Sequence, residues 1–356
     1  MPLVWSKVIV VNWGVTMDRF GRRGLVFVSL LMAALVSHPV DSAAAYREAS
    51  IAHFEVSTRT TKPPVRPLQK KLSEPIRYAY SPCDGFTKSC DVWHVVTTTG
   101  KEWAVRDALP DEDMGDIAVS PDGVLLAYLH AKSERLMIRD LERGTVRIVP
   151  TPKSWKGWEM SFGFSRNSRW LAVDSIDHPK SRAIRYDVKT AKVLTLPRAC
   201  CVIGIADAGT TFVAVHKDSA KTTEASAVRP GRTVKVQFPI LPYLMLSKTH
   251  VSPDGRLLAF DGEEYGAPSR TVGTLDAKSG QIVSRVTPDI DGLREIESFV
   301  YWYDASRVLI DVETQDYGRR LYLVNVRTGQ AKRVLLPKEA FELHSVTVSS
   351  HVEIAK

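Results

Sequence analysis

The chain has 356 residues, 44% of them hydrophobic and 25% charged, with a formal net charge of +8. That is enough apolar material for a large core and excludes a chain that is disordered throughout. The basic residues are spread along the sequence without the clustering beside aromatic or helical segments that nucleic-acid binding uses, so no nucleic-acid partner is expected. A solvated surface is the simpler reading, with a weak attraction to anionic wall polymers or lipid headgroups left open.

Residues 1–45 read as an export signal. Arg19, Arg22 and Arg23 precede an apolar run from Gly24 to Val36, and Ala43-Ala44-Ala45 supplies the small residues of a cleavage site. The run is short for a membrane span, which predicts cleavage after Ala45, with a retained N-terminal anchor as the alternative. Met17 offers a second start, and Arg22-Arg23 loosely matches a twin-arginine signal, so the export route stays open. No cysteine follows the run to carry a lipid, and no hydrophobic tail closes the chain. The expected mature protein is secreted, extracellular or cell-wall associated, without a transmembrane anchor. Residues 46–75 contain Lys62-Pro63-Pro64-Val65-Arg66-Pro67 and Lys70-Lys71 with no sustained apolar period. They read as an extended linker, ordered only if it docks on the folded body of residues 76–356.

Beyond residue 75 short alternating strands are separated by turn residues, and no amphipathic helix stands out. Two kinds of turn recur. The first is Ser120-Pro-Asp-Gly123, repeated as Ser165-Arg-Asn-Ser168, Ala206-Asp-Ala-Gly209, Ser252-Pro-Asp-Gly255 and Tyr303-Asp-Ala-Ser306, with last positions 41 to 51 residues apart. The second follows a strand end and closes at Gly100, Gly144, Ala191, Gly231, Gly280 and Gly329. Proline fixes φ, aspartate bonds its own following backbone and glycine takes positive φ, so Asp122 and Asp254 read as turn formers and not as metal ligands.

Six turns of the second kind against five of the first leave one unit short of its first strand. The offset between the turns places that piece near residues 342–350, at the end of the chain. A ring closed by its own tail is a β-propeller: all-β, six four-stranded blades, with the C-terminal strand pairing into the first blade. Over residues 76–350 the Ser-Pro-Asp-Gly-Arg-Leu-Leu-Ala-Phe motif and the Asp-x-x-x-Gly hairpins resemble TolB-type and WD-repeat-like propellers. The Trp-Asp and Gly-His signatures of true WD repeats are absent. The resemblance implies the fold and carries little about function. The fourth unit is the least regular, with a polar insert expected from Lys217 to Ala227.

Four cysteines allow three pairings. Cys83 and Cys90 fall in one loop of the first blade and are expected to bridge, whereas Cys200 and Cys201 open the fourth, as a vicinal pair or free. No nucleophile elbow, zinc helix, phosphate loop or dinucleotide fingerprint occurs, and Asp289, Asp291 and Glu295 miss the spacing of a calcium loop. No catalytic residue, metal or cofactor is therefore expected. The loops gathered at one end of the channel carry Trp155, Trp158, Glu159, Tyr243, Glu263, Tyr265, Arg294, Glu295 and Tyr317. Aromatic faces among charges suit a protein, peptide or glycan ligand, although Trp155 and Trp158 equally suit gaps between blades. The expected function is a monomeric, non-catalytic binding or scaffold module. The alternative is a hydrolase or lyase working at the channel mouth.

Overall fold

The computed structural model describes residues 65–82, 92–111, 115–157, 160–175, 182–198, 201–215, 222–229, 231–239, 251–261, 269–336 and 346–355. Each unit of the repeat is built on one antiparallel sheet, joined in the first unit by a short parallel strand, and there are six sheets. Blade one holds β1 (Arg66–Pro67), β2 (Ile76–Tyr80), β3 (Trp93–Thr97) and β4 (Glu102–Val105). Blade two holds β5 (Ile117–Val119), β6 (Leu125–Leu129), β7 (Leu136–Asp140) and β8 (Thr145–Ile148). Blade three holds β9 (Met160–Phe164), β10 (Trp170–Ser175), β11 (Arg182–Asp187) and β12 (Lys192–Arg198). Blade four holds β13 (Cys201–Ile205), β14 (Thr211–Val215), β15 (Thr222–Arg229) and β16 (Arg232–Pro239). Blade five holds β17 (Leu257–Asp261), β18 (Val272–Asp276) and β19 (Ile282–Val286), with Val251 bridging Leu258 on the inner side. Blade six holds β20 (Leu293–Trp302), β21 (Arg307–Thr314), β22 (Arg319–Asn325) and β23 (Ala331–Leu335). The tail supplies β24 (Val346–Val348) and β25 (Glu353–Ile354).

The tail closes the ring as the turn spacing requires. β24 pairs antiparallel with β2, Tyr78 opposite Val348, and so becomes the inner strand of blade one. β25 continues onto the outer edge of blade six, beside β23. Arg77 ties the two halves of this closure, donating to the Leu335 carbonyl (2.7 Å) and to Glu353 (3.2 Å). The expected linker does dock in its last part: β1 runs parallel to β4, and the Leu72 amide donates to the Leu141 carbonyl of blade two at 2.9 Å.

Strand alternation gives every sheet two apolar faces, and each is buried against the next blade. The result is six cores, one per interface. Trp93 and Val95 meet Leu126 and Tyr128 between blades one and two. Leu129 and Leu136 meet Phe162 and Tyr186 between two and three. Leu196 meets Val202 and Val213 between three and four. Phe212 meets Leu258 and Phe260 between four and five, and Val272 meets Phe299 and Trp302 between five and six. Tyr78, Tyr80 and Val348 meet Tyr301, Leu309 and Leu321 between six and one.

The first turns share one hydrogen-bond pattern. Ser120 Oγ donates to Asp122 Oδ1 (2.5 Å) and accepts from the Leu125 amide (2.8 Å). Ser252 and Asp254 repeat this (2.7 and 2.9 Å), as do Ser165 and Asn167 (2.7 and 3.0 Å). Gly123 sits at φ 71°, where a Cβ would lie 2.4 Å from the Ile76 carbonyl oxygen, so only glycine fits. All six second turns end at positive φ, Ala191 included. One local expectation changes. Much of the insert placed at Lys217–Ala227 is the strand β15, because Ala225 and Ala227 are small enough to bury while the chain pairs with β14 and β16.

Deleting Glu342–Lys356 removes β24 and β25 and exposes the apolar face between blades six and one. The truncated protein is expected to lose its single cooperative thermal transition. A melting temperature equal to that of the full chain would contradict the closure.

Candidate functional site

The first turns lie at one end of the channel, and the loops between blades and at each blade's centre lie at the other. Between them is an axial cavity of about 260 Å³, lined by the inner strands β5, β9, β20 and β24. Its lining includes small and hydroxyl side chains, among them Ala118, Ser161, Gly163, Ser298 and Thr347, with Asp116 as its charged group.

Blade six carries a cluster of charged side chains at the start of β20, the inner strand whose later residues Ser298–Tyr301 line this cavity. β20 is long and bulged, which carries it beyond the core and sets Glu295 opposite Glu313 on β21. The oxygens of Glu295, Glu297 and Glu313 lie within 4.8 Å of one another, the one such group among the described residues that could hold a metal ion. Arg294 donates to Glu313 at 2.7 Å and lies 4.5 Å from the centre of the Tyr317 ring. The loop carrying Tyr317 is held by its own bonds: Thr314 Oγ1 donates to Asp316 (2.5 Å), and the Tyr317 amide donates to the Thr314 carbonyl (2.7 Å). Tyr317 is left 73% exposed at φ 59°, a strained backbone for a non-glycine residue. The Gln315 amide docks this loop on the Gly292 carbonyl at 2.8 Å.

Three carboxyl groups of blade six are shifted by their surroundings. Burial, then repulsion from Glu297 and Glu313, pushes Glu295 above the ordinary carboxylate range, against the pull of Arg294. Asp311, further along β21, is also pushed up, first by burial. Arg319 pairs with one of its oxygens, and the other is buried without a hydrogen-bond partner. The hydrogen bond from Arg320 holds the exposed Asp316 well below the usual range.

Of the residues singled out in the sequence, Arg294, Glu295 and Tyr317 are brought together. Trp155 is placed elsewhere. It is 6% exposed and packs in the core between blades two and three. Trp158, Glu159, Tyr243, Glu263 and Tyr265 lie outside the described residues, as do Cys83, Cys90 and Cys200. Cys201 opens β13, half-buried against the core of blades four and five. Sequence reasoning passed over Glu297 and Glu313. The i, i+2 pair Glu295 and Glu297 on a long strand was a usable signal, whereas Glu313 needed the cross-strand register.

No protein-family model matches the chain, and no curated protein matches it. Among solved structures, the chain is similar to TolB from Acinetobacter baumannii, at 17% identity over 77% of this chain and 66% of that one, with a TM-score of 0.43. A putative TolB from Agrobacterium tumefaciens gives 13% identity over 72% and 88%, with a TM-score of 0.45. The β-propeller domain of the Trilobed protease from Pyrococcus furiosus, described as having an open velcro topology, gives 16% over 69% and 75%, at 0.44. This chain thus spans about two thirds of the Acinetobacter protein. Such likenesses concern the fold alone, and the six sheets and six interblade cores establish the propeller directly. No helix among the described residues is long and apolar enough to cross a membrane.

A carboxyl group raised in the folded state contributes stability that is full below its unfolded pKa and is lost as pH rises through the folded one. Glu295→Gln removes that loss. The variant is expected to melt above the parent at pH 7, with the difference vanishing towards about pH 3, where Glu295 is protonated in both states. A variant less stable than the parent at pH 7 would show that the Glu295 charge is needed for folding.

Proposed function

We propose that the protein is an exported binding module that takes a protein or peptide segment at the channel mouth on blade six. The observation that carries this reading is the pair Arg294 and Tyr317. An exposed aromatic ring, locked in a strained loop and covered by a guanidinium, stands beside three converging carboxylates. Maintaining strain and like-charge repulsion at a surface costs stability, and such costs concentrate where a ligand offsets them. The chain as a whole is basic, so this mouth is a local acidic field on a positive body, which favours a ligand segment carrying lysine or arginine. The aromatic face adds area and a cation–π partner for such a side chain.

One observation favours the second reading, an enzyme of the hydrolase type. Glu295 is raised, and a carboxyl group held towards its protonated form beside the Arg294–Glu313 pair suits a general acid.

Binding of basic, acidic and neutral peptides and of a glycan panel, measured by fluorescence anisotropy at low and physiological salt, separates these readings. Basic peptides are expected to bind, with affinity falling as salt rises. Tyr317→Ala is expected to weaken binding by about tenfold, the scale of one partly desolvated cation–π contact. No salt-sensitive preference for basic peptides would overturn the binding reading, and turnover of a substrate that Glu295→Gln abolishes would replace it with the enzyme.

A further inference from the structure

The first turns are linked around the ring. The Ser350 amide of blade one donates to the Pro121 carbonyl at 2.8 Å, and the Asp122 amide donates to Ser168 Oγ at 3.2 Å. The Asn167 amide donates to Asp207 Oδ1 at 2.7 Å, and the Asp207 amide donates to the Pro253 carbonyl at 2.9 Å. Tyr301 Oη of blade six donates to the Ser349 carbonyl at 2.8 Å. These are contacts between neighbours. One further contact is not.

In a ring of six, blades three and six are opposite. Arg166 Nε of blade three nevertheless donates to the Tyr303 carbonyl of blade six at 2.7 Å, and its guanidinium lies 5.7 Å from the centre of the Tyr303 ring. Arg307, tied to Asp304, approaches the same ring at 5.0 Å. The field of Arg166 also reaches Asp207 of blade four and the buried phenol of Tyr301, which places the guanidinium near the axis. The repeat register sharpens this. The second position of the five first turns and of the matching tail segment Ser349-Ser350 is Pro121, Arg166, Asp207, Pro253, Asp304 and Ser350, so Arg166 is its one long cationic side chain. The first position is Ser120, Ser165, Ala206, Ser252, Tyr303 and Ser349, so Tyr303 is its one aromatic. Two single departures from the repeat stand on opposite blades and meet.

We propose that Arg166 is a bolt across the axial channel. It ties blade three to blade six and shuts the end where the first turns meet, so the channel is a blind shaft reached from the end beside Arg294 and Tyr317. This device goes beyond the binding role and does not depend on it, because the contact is internal to the ring.

Hydrogen exchange and hydroxyl-radical footprinting of the full chain test it without a ligand. Arg166→Ala removes the bolt, and Arg166→Met keeps the aliphatic stem and loses only the charged donor. In whichever variant retains a cooperative melt, exchange is expected to rise at least tenfold in the turn at 303–306, 137 residues away, as well as at 165–168. The turn at 252–255 is expected to stay at parental rates. Radical labelling of Phe164 and Tyr301, which flank the bolted end, is expected to rise several-fold, with Met160 near the other end unchanged. Faster exchange confined to residues 165–168, or unchanged labelling of Phe164 and Tyr301, overturns the proposal.

Discussion

The ladder between β24 and β2 is the constraint on which the rest depends. Ser349 and Arg77, which meet through the Ser349 amide and the Arg77 carbonyl at 2.9 Å, are 272 residues apart. Bringing such distant segments together costs on the order of 5 kcal/mol in chain entropy, since the cost grows only with the logarithm of loop length. A few backbone hydrogen bonds at about 1 kcal/mol each roughly cancel that cost. Burial decides the sign: Tyr78, Tyr301, Val348 and Val352 share a core that exists only when the tail is in place. Once it is, each of the six blades shares a core with both of its neighbours.

The same turns that position the strands also bind blade to blade. Ser120 and Asp122 satisfy each other, which leaves the backbone of Pro121 and Asp122 free to bond Ser350 and Ser168. Proline at the second position accepts from a neighbour through its carbonyl and offers no competing amide. A long side chain at that position can do something else, and Arg166 does. Asp207 carries a cost of its own: burial raises its carboxyl group, while the Asn167 amide and Arg166 pull it back towards the ionised form.

Much of the fold was legible because turn chemistry is local. Positive φ at Gly123, Gly255 and the five second turns that end in glycine follows from residue type, and even Ala191 and Ser168 betray themselves by their place in the count. The closing strand was legible for the same reason, as the missing member of a period. The site was harder to read. Arg294, Glu295 and Tyr317 could be assigned to loops at one end of the ring, but their company depends on the bulged register of β20 against β21, which no local pattern encodes. Trp155 shows the converse limit: a tryptophan between blades and one facing a ligand look alike in sequence, and only burial separates them. The strand β15 resembles an insert in sequence because its residues are small and polar, although Ala225, Ser226, Ala227 and Val228 all bury.

Closure by the tail is what holds the ring, and hydrogen exchange at the ladder itself measures it most directly. If β24 completes blade one as an integral strand, the protected amides of Val346–Val348 and Tyr78–Tyr80 exchange only through global unfolding. Their protection then equals the global stability and falls with denaturant along the global slope. If those amides exchange through a local opening with little denaturant dependence while β6, β10 and β21 remain protected, the tail is an accessory strand, and the ring holds together without it.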